Sequence, residues 1–154
     1  MTLAELKDQF IGEWEGTNLL RFEQDAPDRV TPSDLRVASV VGNKFLSFAY
    51  TWSFNGAPHE GLMILGYDND QQQATASWVD TWHQSTKALM SEGVIHDKGE
   101  VDVKGYYGTP GEPLWGWRTT IKSTEKGLLL EMFNCTPEGD EELAVRGDYS
   151  RKGR

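Results

Sequence analysis

A single cysteine, Cys135, in 154 residues leaves no partner for an intramolecular disulfide. The fold cannot depend on one, and a reducing compartment is expected. Long apolar runs are also missing: nothing approaches the roughly 20 residues that cross a bilayer as a helix. The opening, "MTLAELKDQF", has neither a basic start nor an apolar stretch, which argues against secretion and for a bacterial-type cytoplasmic protein. Cations are scarce, 15 Lys and Arg against 24 Asp and Glu, for a net charge of −9. Such a surface repels nucleic acid and anionic membrane alike, and no local Lys/Arg cluster offsets it. Neither is expected as a partner, and the acidity reads as solubility.

Catalytic and metal motifs are thin as well. No Gly-x-Ser-x-Gly occurs, and Cys135 in "MFNCTPEG" has no histidine near it in sequence. "GTPGEP" lacks the Lys-Ser/Thr that would make it a phosphate cradle. Glu141 and Glu142 are adjacent and so point to opposite faces, while Asp68 and Asp70 lie in a polar turn with at most weak calcium affinity. The histidines are His59 at a turn and His83 and His96 near opposite ends of one hairpin. They read as surface residues; His83 and His96 would need to meet across that hairpin, near Asp97 or Asp80, to hold a metal. No metal or cofactor is expected.

What the chain does have is aromatics: six Trp, five Tyr and six Phe. They fall in a regular texture. Thr2 and Glu5 form a capping box, and Leu3, Leu6 and Phe10 follow at helical spacing, predicting a helix over 2–10. After Gly12, short alternating segments recur, punctuated by Gly, Asn, Asp and Pro. They predict strands at roughly 12–22, 34–42, 44–55, 60–68, 72–83, 87–97, 100–107, 115–124, 127–135 and 142–151. Only 23–34 and 108–113 are longer connections. The expected fold is all-β: one domain over 1–154, a closed antiparallel up-and-down barrel of about ten strands (12–151) with a short N-terminal helix. Ten strands about 4.8 Å apart and tilted about 45° give a backbone radius near ~11 Å, wider than eight strands and wide enough for a pocket.

The stretch "TASWVDTWHQ" (75–84) carries the sharpest question. Alternation puts Trp78, Asp80 and Trp82 on one face and Val79, Thr81 and His83 on the other. A carboxylate among indoles is costly unless it is paired, multiply hydrogen-bonded or wetted. In "KFLSFAYTWSFN", Leu46, Phe48, Tyr50, Trp52 and Phe54 share a face, a ladder that needs a concave space opposite. In "LWGWRTTIK", Trp115, Trp117, Thr119 and Ile121 share a face that we assign inward, with Arg118 and Lys122 opposite. The expected ligand-binding set is Tyr50, Trp52, Trp78, Asp80, Trp82, Trp117 and Arg118. Arg118 joins it only if a β-bulge near Gly116 turns it inward as the partner of Asp80. The alternative is a structural Asp80, bonded to backbone or to an indole N–H.

"IGEWEG" (11–16) places a Gly-x-Trp at the start of the first strand, just after the short helix. This resembles the signature of the calycins, the superfamily of lipocalins, fatty-acid-binding proteins and nitrobindins. The resemblance implies that Trp14, with Gly12, closes one barrel end and that a basic residue from near the chain's end packs across it. Arg151 fits that role and shares its face with Tyr149, Leu143 and Val145. The wider pattern "GEWEG…GNKFLSFAY…GYD…WVD…PEGDEELAVRGDYSR" is similar to a bacterial calycin-like family known only as a domain of unknown function. Nitrobindins hold haem through a late histidine; none follows His96 here, so haem is not carried over.

Three functions fit these residues. The first is a monomeric or homodimeric binding protein holding a small hydrophobic or aromatic ligand in the barrel. The second is a small lyase or isomerase using Asp80, Tyr50, Tyr107 and Arg118 on a carboxylated substrate. The third is a structural or interaction module without a ligand.

Overall fold

The computed structural model describes residues 1–22 and 25–153. Helix α1 (Leu3–Phe10) starts where the capping box predicts: Thr2 Oγ1 accepts the Glu5 backbone N–H at 3.3 Å and donates to Glu5 Oε1 at 3.1 Å. Its apolar edge of Leu3, Leu6 and Phe10 is buried. Ten strands follow: β1 (Gly12–Leu20), β2 (Arg29–Val40), β3 (Phe45–Phe54), β4 (Ala57–Asp68), β5 (Gln73–Asp80), β6 (Gln84–Ile95), β7 (Val101–Tyr107), β8 (Trp115–Ser123), β9 (Leu128–Cys135) and β10 (Glu141–Arg151). Each pairs antiparallel with its neighbours in sequence, and β10 returns to β1, so the sheet closes as an up-and-down barrel.

Turn chemistry sets several corners. Asn55 and Gly56, both at positive φ (51° and 81°), join β3 to β4 in a two-residue turn that suits strand twist. Three strands begin three or more residues earlier than the sequence predicts, β6 among them at Gln84. β2 starts at Arg29 because Arg29–Ser33 pair with Leu20–Gly16 despite Pro32, and β4 starts at Ala57, which makes His59 a strand residue. The 23–34 connection is therefore partly strand, and Glu23 and Gln24 lie outside the described residues. A one-residue slip between Leu143 and Val145 against β9 pairs Leu143 with outward-facing Phe133. Leu143 thus leaves the face shared by Val145, Tyr149 and Arg151.

The ends of the barrel differ. At the end where β1 starts and β10 finishes, α1 plugs the lumen: Phe10 meets Phe48 edge-on with ring centroids 6.0 Å apart. Leu6, Leu46, Met63, Leu65, Val101, Val103, Ile121 and Met132 fill the space above it with virtually no exposure. Trp14 Nε1 donates to Phe10 O at 2.9 Å, and the Arg151 guanidinium lies over the indole at 4.3 Å. Arg151 also donates to Ile11 O (2.9 Å) and Gln9 O (3.3 Å), two carbonyls around the helix's last turn. Gly12 is required there: a Cβ would sit 2.4 Å from Arg151 Nη1, and its φ is +149°. Tyr149 packs inside the same wall, its hydroxyl 2.8 Å from Ser33 Oγ, and burial pushes its pKa up to about 12. No helix among the described residues is long and apolar enough to cross a membrane.

Candidate functional site at the open end of the barrel

The opposite end is where the rings collect. Tyr50 and Trp52 come up on β3 and Trp78 on β5, as strand alternation predicts, and all three are buried. β5 stops at Asp80. Asp80 Oδ1 accepts the backbone N–H groups of Trp82 (2.8 Å) and His83 (3.0 Å), which folds the chain into a tight turn. Oδ2 accepts from the Tyr50 hydroxyl (2.5 Å) and from Trp52 Nε1 (3.2 Å), and Tyr50 in turn accepts from Trp78 Nε1 at 2.9 Å. Four donors therefore satisfy a carboxylate that is 3% exposed. Of the two sequence readings of Asp80, the structural one describes these contacts. Burial and the adjacent Asp80 charge together hold the Tyr50 hydroxyl well above its ordinary pKa, so it donates throughout the physiological range.

The same turn corrects the sequence assignment of Trp82 and His83. Strand alternation puts His83 outside, but it is half-buried, with ring centroids 5.5 Å from Trp52, 5.6 Å from Trp78, 4.7 Å from Trp82 and 5.5 Å from Trp117. Trp82 sits at the mouth because the turn swings it there, and it meets Phe22, Phe54 and Trp52. His59 also stacks on Trp52 at 4.9 Å, and its Nδ1 lies 2.8 Å from Thr81 Oγ1. Burial among indoles pushes the His83 pKa down to about 4, opposed by the Asp80 charge and assisted by His59. At neutral pH His83 is an uncharged imidazole, and no described residue hydrogen-bonds its ring.

Arg118 is not part of this cluster. β8 pairs without a register slip on both sides, so no bulge exists at Gly116 and Arg118 stays on the outer face. It chelates Asp102 through Nε (2.8 Å) and Nη2 (3.0 Å) and reaches Glu141 through Nη1 (3.1 Å). The hydrogen bonds from Arg118 hold the Asp102 carboxyl below its ordinary range. Trp115, expected inside, is 38% exposed at the strand's end. Trp117 is inward, 8% exposed and stacked on Trp78 at 5.4 Å. Its Nε1 is buried, with no hydrogen-bond partner among the described residues.

Trp82, His83 and Trp117, with Asn134, Leu20, Phe22 and Ala144, wall a recess of about 1020 Å³ that opens at this end. Four carboxylates (Asp25, Asp28, Glu141, Glu142) and one guanidinium, Arg21, also line it. Arg21 is taken up by Asp28 at 2.8 and 2.9 Å. Asn134, which also lines the recess, accepts the Tyr107 hydroxyl through Oδ1. Asn134 and His83 escaped the sequence reading. Asn134 gave no signal beyond inward parity on β9, whereas the Asp80-x-x-His83 spacing could have shown the turn.

Other candidates do not assemble. His83 and His96 flank opposite ends of β6, so they cannot share an ion. His96, Glu100 and Asp102 offer ligand atoms within 4.8 Å of one another, yet Arg118 already clamps Asp102 and Lys122 lies 3.9 Å from Glu100. Asp68 Oδ1 is used by the Asp70 and Gln71 N–H groups of its own turn. Burial raises the Cys135 thiol pKa, which keeps it a poor nucleophile. A second hollow, about 630 Å³, lies on the outer face of β2–β5 beside Leu62 and Val79.

No curated protein matches the sequence. A family model described as "protein of unknown function (DUF1579)" matches residues 5–151, from within α1 to the last residue of β10. The match takes in the plugged end, the Asp80 turn and the aromatic mouth together, and the chain belongs to that DUF1579 family.

Proposed function

We propose that this protein is a binding protein that takes a small hydrophobic or aromatic molecule at the open end of its barrel. The observation that carries the reading is a recess of about 1020 Å³ at the open end, walled by the rings of Trp82, His83 and Trp117. The opposite half of the lumen is filled by its own side chains, so the bound molecule sits at the mouth and not deep in the tube. Kinship with the calycins is part of this proposal. It is supported by Gly12 and Trp14 at the first strand and Arg151 across the indole. A reducing, cytoplasmic setting fits the one buried cysteine.

A lyase or isomerase using Asp80 and Arg118 is less well supported. The acid has both oxygens occupied by protein donors, and the guanidinium lies on the other side of the wall. The test is a titration of intrinsic Trp fluorescence with a panel of fatty acids, retinoids, flavins and small aromatics. Saturable quenching at micromolar ligand is expected, weakened about tenfold in Trp82→Ala. A panel in which nothing saturates overturns the reading.

A further inference from the structure

His83 stands between the recess and the buried rings behind it. It lines the recess together with Trp82 and Trp117, whereas Trp52 and Trp78, 4% and 2% exposed, do not. Its imidazole lies against all four indoles, with centroids 4.7 to 5.6 Å away, near-parallel to Trp52 (24°) and edge-on to Trp82 (86°). One flat ring thus fills a slot whose walls are flat rings.

Hydrogen bonds fix the walls of that slot and not its occupant. Trp52 Nε1 is held on Asp80 Oδ2 at 3.2 Å and Trp78 Nε1 on the Tyr50 hydroxyl at 2.9 Å, while Trp117 stacks on Trp78 at an interplanar angle of 12°. The His83 ring has no hydrogen-bond partner among the described residues. Asp80 takes its backbone N–H, and that bond survives whichever way the side chain turns. Rotation about the side-chain bonds carries the imidazole into the recess it already borders, where water satisfies both ring nitrogens. The following strand also has slack: Trp78 pairs with Leu89 but Asp80 with Gln84, so five steps along β6 face two along β5. What keeps the ring in place is its packing against the indoles, and another flat ring supplies the same contacts.

We infer that His83 is an internal stand-in for the ligand: its imidazole occupies a ring-binding slot formed by Trp52, Trp78, Trp82 and Trp117, and a bound molecule displaces it to insert a planar ring of imidazole to benzene size. This rests on the proposed binding at the mouth and deepens it. The slot behind His83 takes a single aromatic ring, and the rest of the molecule stays in the recess. The free protein is then partly self-occupied, and its apparent affinity is lowered by the fraction of molecules in which the imidazole fills the slot.

The test follows the His83 ring Cε1–H resonance of the wild-type protein at neutral pH during titration with phenol and, as a non-planar ring of the same size, cyclohexanol. Ring currents from the surrounding indoles displace this resonance from its solvent-exposed position. Phenol is expected to return it toward that position as binding saturates, and to shift the Trp52 and Trp78 indole resonances with it. Cyclohexanol is expected to do so at least about tenfold more weakly, because it cannot stack. His83→Ala empties the slot, so phenol no longer competes with the imidazole and binds at least about fivefold tighter. A side chain that served only as wall would give the opposite sign. Should that variant fail to fold, the wild-type titration alone decides. Phenol that shifts Trp82 or Trp117 while the His83 resonance stays in place overturns the displacement and leaves binding at the mouth standing. So does an affinity that fails to rise in His83→Ala, or cyclohexanol that displaces the ring as readily as phenol. A titration in which neither His83 nor any of the four indoles responds overturns both.

Discussion

The Tyr50 hydroxyl stands 2.5 Å from Asp80 Oδ2 and carries the Trp78 indole N–H on its other side. One phenol thus links a strand, β3, to the turn that ends another, β5. The buried acid is the node on which the aromatic mouth is hung: two of its bonds shape the turn that presents Trp82 and His83, and two fix the rings of β3.

Removing that node has graded consequences. Asp80→Asn keeps an oxygen for the two backbone N–H groups but aims an amide at two donors. We expect a loss of about 2–3 kcal/mol in urea unfolding, and more for Asp80→Ala, which frees the turn as well. Tyr50→Phe, which strands Trp78 Nε1 and leaves Asp80 Oδ2 with Trp52 Nε1 as its one donor, should cost about 1–3 kcal/mol. An Asp80→Asn protein as stable as the wild type would contradict the assignment.

Gly61 tests the same node sterically. A Cβ there would lie 2.2 Å from the Tyr50 oxygen and 2.3 Å from its Cζ. Gly61→Ala should destabilise by about 2 kcal/mol or more, and Tyr50→Phe should fail to rescue it because the ring carbons clash too. Thermal melts of the two single variants and the double variant check this.

At the plugged end, Arg151→Ala removes a cation–π contact and two bonds to helix carbonyls. The expected cost is about 1–3 kcal/mol. Because the lost contacts tether α1, hydrogen exchange should rise first in Leu6–Phe10, whereas Trp82 and Trp117 at the far end should keep their spectra. Uniform loosening of both ends would argue against separate roles.

His83 makes stability depend on pH. Its folded pKa is depressed to about 4 from an ordinary 6.5, so between those values the unfolded chain binds a proton that the folded one refuses. Its contribution is whole above pH 6.5 and is lost as pH falls toward 4, by an amount on the order of 3 kcal/mol. Replacing it in His83→Gln should flatten that part of the stability profile between pH 7.5 and pH 4. A wild-type Tm that does not fall faster than that of the variant across this range would contradict the buried, neutral imidazole.

Much of this architecture was legible in the chain because barrels are written in period two. The ladder from Leu46 to Phe54, the capping box at Thr2 and the Trp14–Arg151 pairing follow from alternation, a local hydrogen-bond pattern and a resemblance. Alternation fails where a strand ends, and that is where the mouth is built. Trp82 and His83 belong to a turn that Asp80 makes with its own side chain, so their directions come from hydrogen bonds and not from parity. Arg118 differs for the opposite reason: its inward placement requires a bulge that would supply the buried acid with a cation, whereas indole, phenol and backbone donors already satisfy that acid.

The most direct measurement is a crystal of the protein soaked in bromocoumarin, with bromine located by its anomalous scattering. The account predicts a bromine peak at the mouth, in the recess bounded by Trp82, His83 and Trp117. No peak there, or a peak only in the outer hollow beside Leu62 and Val79, would contradict it.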